Sequence, residues 1–235
     1  MTFANRAGLA AIALAAGIGL TGCGSETAGD ATPADETSAT AETTVSSTSE
    51  APAPQTPAAG ADITVEQYIA ENGIEATPMR QGDPGAPTVT LPFPPGWVAI
   101  GDSAPEDAFD GIMFTGDPPA PAPATIVAFV TKLTGNVDPA KILEYAPKST
   151  LALPGFQGAT SGQQGTLGGY DATQIGGFYK KEDGGPDWLI AEKTAVIPTD
   201  GGVLMLKLTA EGPEDLAIQL MEATAAIDEQ TTITP

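Results

Sequence analysis

From Gly24 to Ala61 the chain runs GSETAGDATPADETSATAETTVSSTSEAPAPQTPAAGA, and Val45 is the only large apolar residue in it. Such a segment cannot bury enough apolar surface to offset the entropy of ordering it. It reads as a disordered tether, so a packed core must come from other parts of the 235-residue chain. Its length corresponds to roughly 35 Å as a flexible coil and up to about 120 Å when extended. The dense Ser/Thr with Pro fits an O-glycosylated stalk and a bare spacer equally well.

The residues before it explain what the tether is tied to. Arg6 precedes a run from Ala7 to Leu20 that has neither charge nor proline. As a helix that run would rise about 21 Å, short of the roughly 30 Å hydrocarbon core, so it reads as the apolar region of a signal peptide and not as a span. Leu20-Thr21-Gly22-Cys23 follows it and resembles the bacterial lipobox. By that resemblance residues 1–22 are removed and Cys23 becomes a thioether to diacylglycerol, which supplies the two buried chains that stable anchoring needs. The competing reading is an ordinary secretory signal with an incidental cysteine. The lipobox reading places the protein on the outer face of the cytoplasmic membrane, with residues 23–61 as lipidated cysteine and tether.

Charge and missing residue types then exclude chemistry. The chain has 9 Lys and Arg against 30 Asp and Glu and a net charge of −21. Residues 62–235 carry 24 of the acids and 8 of the bases, leaving about −16 on the part able to fold. Nucleic acid is excluded as a partner, because its binding draws on Lys and Arg neutralising phosphates. There is no histidine, hence no Ser-His-Asp triad and no imidazole ligand or base. Cys23 is the single cysteine, so no internal disulfide and no cysteine zinc site can form. No phosphate-cradling motif occurs, and Ser103, Ser149 and Ser161 lack a nucleophile-elbow context. Acids cluster at Glu106, Asp107 and Asp110 and at Glu182, Asp183 and Asp187. Both groups fall in expected turns without the apolar housing that would tune a catalytic carboxyl. The expectation is a protein that is not an enzyme and holds no metal and no cofactor.

Residues 62–235 suffice for one domain with a proper core. Thr64 and Gln67 fit a capping box opening a helix that ends near Asn72-Gly73. Strands are expected over Thr88–Leu91, Asp110–Thr115 and Thr125–Thr134. Pro-Phe-Pro-Pro-Gly-Trp97 looks too proline-rich for regular pairing. Asp138-Pro139 caps and starts a second helix with Ile142, Leu143 and Ala146 inward, ended by Pro147. The glycine-rich stretch 158–169 reads as a flexible loop. Three strands follow as a meander over 170–181, 188–197 and 203–211, with Leu204, Leu206 and Leu208 on one face. Pro213-Glu214-Asp215 opens a last helix lined by Leu216, Leu220, Ala223 and Ile227. The expected fold class is α+β, an antiparallel sheet of about six strands flanked by about three helices. Most aromatic residues belong in its core. Trp97, Phe109, Met113, Phe156 and Trp188 lie beside loops and are the candidates to line an apolar cleft.

The segments DPGAPTVTLPFPPGW (83–97), TIVAFVTKLTGNVDPAKILEYAP (125–147), LPGFQG (153–158) and IDEQTTITP (227–235) resemble the LpqN/LpqT lipoprotein family of mycobacteria. The resemblance covers essentially all of 62–235. It implies a Mog1/PsbP-like fold and a place in the cell envelope, among accessory factors for trehalose and mycolate lipids. It also implies work beside membrane lipid exporters and secreted mycolyltransferases, and it brings no active-site residues. Three functions stay open: a trehalose glycolipid binder or adaptor, a pure protein scaffold without a pocket, and a carboxylate glycosidase.

Overall fold

The computed structural model describes residues 63–117 and 122–235. Cys23, the signal peptide and the tether expected up to residue 61 lie outside the described residues.

The first helix, α1 (Val65–Glu71), begins as its capping box requires. Thr64 Oγ1 accepts from the Gln67 amide and Gln67 Oε1 accepts from the Thr64 amide, satisfying two otherwise orphaned donors. Four short strands follow: β1 (Glu75–Met79), β2 (Thr88–Thr90), β3 (Trp97–Ala99) and β4 (Asp110–Phe114). The long β5 (Thr125–Thr134) leads to α2 (Pro139–Tyr145), where Asp138 caps and proline occupies the first turn. Pro147 does not stop the helical course. It opens a further short helix, α3 (Pro147–Leu151), because a proline is tolerated at the first helical position.

The glycine-rich stretch expected as a loop is instead paired. It contains β6 (Gln157–Gly158) and β7 (Gln163–Leu167), both hydrogen-bonded to β8 (Tyr170–Lys180). Glycine lets these strands approach where side chains could not: a Cβ on Gly158 would lie 2.4 Å from the Gly176 carbonyl oxygen. The meander then continues through β9 (Asp187–Thr199) and β10 (Gly202–Pro213), and α4 (Ala217–Gln230) precedes the terminal β11 (Thr232–Thr234).

Among the described residues nine strands form one antiparallel sheet in the order β3-β4-β5-β10-β9-β8-β6, with β1 added on β5 and β7 on β8. β11 and β2 form a separate two-stranded ribbon. Strand alternation assigns the two faces. Leu204, Leu206, Leu208 and Ala210 of β10 pack with Leu216, Leu220, Ala223 and Ile227, so α4 covers one face. Val203, Val196 and Leu133 pack with Val65, Tyr68, Ile142 and Tyr145, so α1 and α2 cover the other. The α+β class with an antiparallel sheet and flanking helices is thus observed, with more strands than the alternation in the sequence had suggested.

Candidate functional site

The α4 face is not filled uniformly. Cross-strand register aligns Gly176 with Ala191, Ala191 with Ala210, and Ala210 with Ile126. Three successive small residues therefore form one row across β8, β9 and β10. Side chains in a sheet interior normally fill the space up to the covering helix. Here that row leaves a trough under the outer flank of α4, a groove of about 260 Å³ lined by Ile126, Gly176, Ala191, Leu208, Ala210 and Ile227. A second, almost wholly apolar hollow continues it along the helix past Leu189, Leu220 and Met221, sharing Gly176, Ala191 and Thr224.

One end of the groove is polar. Gln163, Gln174 and Lys193, in register across β7, β8 and β9, line it together with Asp228. Lys193 Nζ and Asp228 Oδ1 lie 2.7 Å apart, joining β9 to α4 across the groove. The amide side chains and this ion pair offer donors and acceptors beside an apolar floor, the arrangement that fixes and orients an amphipathic ligand.

The five aromatic and Met candidates do not share this groove. Trp97 is buried against Phe114, with ring centroids 5.7 Å apart. It lines a separate hollow with Phe93 and the prolines around it, together with Gln219 and Glu222 of α4. At 100° per residue, those positions lie on the flank of α4 opposite Met221, Thr224 and Asp228. Phe109 is buried in the α4-side core. Met113 and Trp188 are each an odd number of positions from core-facing residues of their strands, Ile112 and Ala191, and so point to the other face. Phe156 lies over the glycines that join β6 to β8.

Trp188 nevertheless has a polar setting. Lys181 Nζ stands 3.9 Å from its ring centroid and 3.2 Å from Glu211 Oε2, and the Tyr179 hydroxyl donates to the same carboxylate. Burial pushes the Glu211 carboxyl above the usual carboxylate range.

The acid clusters are solvated or locally tied. Glu106 is almost fully exposed, 4.0 Å from Arg80. Asp110 accepts from the Gly111 amide and Asp187 pairs with Lys180 at 2.8 Å. Among the described residues no group of three or more His, Cys, Asp or Glu is placed to hold a metal. Among the described residues one acid is deeply buried, and the sequence carries no motif that marks it. Glu192 lies under α3, where Thr150 Oγ1 donates to its Oε2 at 3.4 Å. Burial pushes its carboxyl up, and Lys207 opposes that shift. No alternation flags it, since Glu192 stands in the polar run Glu192-Lys193-Thr194 of β9, and only the cover given by α3 turns that polar position into a buried one.

Comparison with known proteins agrees with this architecture. A family model described as "Probable lipoprotein LpqN" matches residues 61–234. The chain is 46% identical over 178 residues to lipoprotein LpqN of Mycobacterium tuberculosis (strain ATCC 25618 / H37Rv), covering 76% of this chain and 77% of that protein. It is also similar to the crystal structure of LpqN involved in cell envelope biogenesis of Mycobacterium tuberculosis. There the TM-score is 0.69 at 46% identity, over 75% of this chain and all of that one.

Proposed function

The chain belongs to the LpqN lipoprotein family, and from that premise we propose that it is a non-enzymatic, lipid-anchored protein of the cell envelope that carries an amphipathic glycolipid. Cys23 is its attachment point, residues 1–22 are removed, and residues 24–61 let the domain range from the outer face of the cytoplasmic membrane. The α4 groove takes the acyl chain. Gln163, Gln174 and the Lys193–Asp228 pair at its polar end engage the sugar hydroxyls of a trehalose-type head.

The observation that carries this reading is the row Gly176, Ala191, Ala210. It keeps open an apolar trough whose polar groups are gathered at one end, and a molecule with a chain and a sugar has that same division. A scaffold that docks only on protein surfaces has no need of it. LpqN of Mycobacterium tuberculosis is involved in cell envelope biogenesis, and a carrier of envelope glycolipid suits such a setting.

Calorimetric titration of the mature chain with an alkyl trehaloside tests the proposal. Ala191 is partly exposed at the groove floor, so Ala191→Leu fills the trough without disturbing the core beneath. Binding that is present in the wild type and weakened about tenfold or more in Ala191→Leu supports the reading, since the plug removes apolar burial worth at least about 1.4 kcal/mol. Equal binding by both proteins, or none by the wild type, rejects it.

A further inference from the structure

Exposed apolar side chains are not scattered over this domain. Among the described residues, Phe93, Val98, Ile218 and Met221 are the large hydrophobic residues left exposed, at 58%, 43%, 69% and 63%. Three of the four surround α4. Ile218 and Met221 are three apart on the helix and so lie on neighbouring positions of its solvent side. Phe93 stands across the hollow that flanks the other side of α4. Met221 also lines the outer part of the groove, so the patch runs into the groove mouth.

We infer that this α4 surface is a membrane-contacting face, on which Ile218, Met221 and Phe93 settle into the bilayer surface and bring the groove mouth to the lipid. The inference rests on the proposed groove ligand and on Cys23 as anchor. A second copy of the chain fits the patch poorly. Specific dimers bury about 800 Å² per partner, far more than three side chains offer. Two domains each carrying about −16 would also repel one another. A lipid surface needs no matching shape. Ala217 to Met221 of α4 carry no charge, while the exposed Glu214, Asp215 and Glu222 border the patch, so it suits uncharged or zwitterionic headgroups and is repelled by anionic ones.

Contact this small would not hold a free protein on a membrane, and the tether removes that demand. As a flexible coil its 38 residues would have a root-mean-square reach of roughly 35 Å. The bilayer is then present at a high effective concentration, and a weak contact is populated without any further affinity. The groove faces the reservoir of its ligand whenever the patch settles, and leaves it when the domain lifts away.

The test uses the mature chain beginning at Cys23. As the single cysteine of the chain, it couples selectively to a maleimide phospholipid in phosphatidylcholine vesicles. Hydrogen exchange over 214–226 is then compared between vesicle-bound and free chain. The inference expects slowed exchange there on vesicles, with protection reduced about tenfold or more in Ile218→Ser/Met221→Ser. Phe93→Ser is expected to give a smaller reduction in the same direction. Unchanged exchange over 214–226, or slowing that the double variant retains, overturns it. Alkyl trehaloside binding by the free chain is measured in parallel, without vesicles. Loss of that binding in the wild type would fail the groove reading separately, whereas exchange on vesicles reports the surface itself.

Discussion

Lys193 Nζ lies 2.7 Å from Asp228 Oδ1, and this contact joins the central part of the sheet to the last turns of α4. The lysine side chain is nearly buried while the aspartate is more open, so the two partners are not equivalent. Removing Asp228 leaves an ammonium in a desolvated site without its counter-charge, whereas removing the lysine leaves a carboxylate that water can reach. Asp228→Asn is therefore expected to destabilise by about 1–2 kcal/mol and Lys193→Met by less. Urea midpoints of the two variants check the order. Equal losses would show that the asymmetry in burial has no energetic consequence.

Glu192 makes stability depend on pH. Its carboxyl is raised above the usual range, mainly by burial under α3, while Lys207 lowers it, the Thr150 hydroxyl lowers it further and Glu66 raises it. A group whose folded-state value is raised binds its proton more tightly when folded. Its stabilisation is complete below the unfolded carboxylate value and is lost as pH rises through the folded one. Glu192→Gln keeps a neutral side chain at all pH values. The variant is expected to gain on the wild type as pH rises from about 4 to about 7. Denaturation at several pH values reads this directly, and a variant that loses ground to the wild type as pH rises would contradict it.

Thr173 and Thr194 are paired in register across β8 and β9, both are buried, and neither hydroxyl has a protein partner. A buried hydroxyl without a hydrogen bond costs its desolvation and returns nothing. Thr194→Val retains the branched shape and strand preference, and is expected to stabilise by about 1 kcal/mol. A lower melting temperature for the variant would show that the hydroxyl is satisfied after all.

Gly96 has φ of +81°, and a Cβ there would stand 2.7 Å from Phe114 Cε2. Gly96→Ala must strain the backbone and displace the ring that packs on Trp97, with an expected cost of about 2 kcal/mol. Tryptophan fluorescence during thermal unfolding checks both the loss of stability and the changed packing around Trp97.

These predictions draw on features of unequal visibility in the sequence. Leu204, Leu206 and Leu208, the Thr64–Gln67 box and Asp138-Pro139 are local patterns, and they appear in the structure where the chain alone placed them. Strands β1, β3, β6, β7 and β11 were hidden because partners far along the chain create them. Pro78 sits in β1, tolerated because that strand borders β5 on one side only. Trp97 begins a strand directly after four residues rich in proline because β4 offers it a partner. Thr232–Thr234 becomes a strand only by meeting Thr88–Thr90.

The groove was hidden for the same reason. Aromatic residues near loops suggested a cleft lined by large side chains. The trough that forms instead depends on Gly176, Ala191 and Ala210 coming into one row, and nothing local in three separate strands announces that alignment. Small residues on facing strands leave space, whereas the large ones were needed elsewhere to fill the core.

The most direct test of the groove as a glycolipid site is a chemical-shift titration of the mature chain with an alkyl trehaloside. The account predicts shifts concentrated at Gln163, Gln174, Gly176, Ala191, Lys193, Thr224 and Asp228, lost in Ala191→Leu. Shifts confined to the far face of the sheet around Trp188, or none at millimolar ligand, would contradict it.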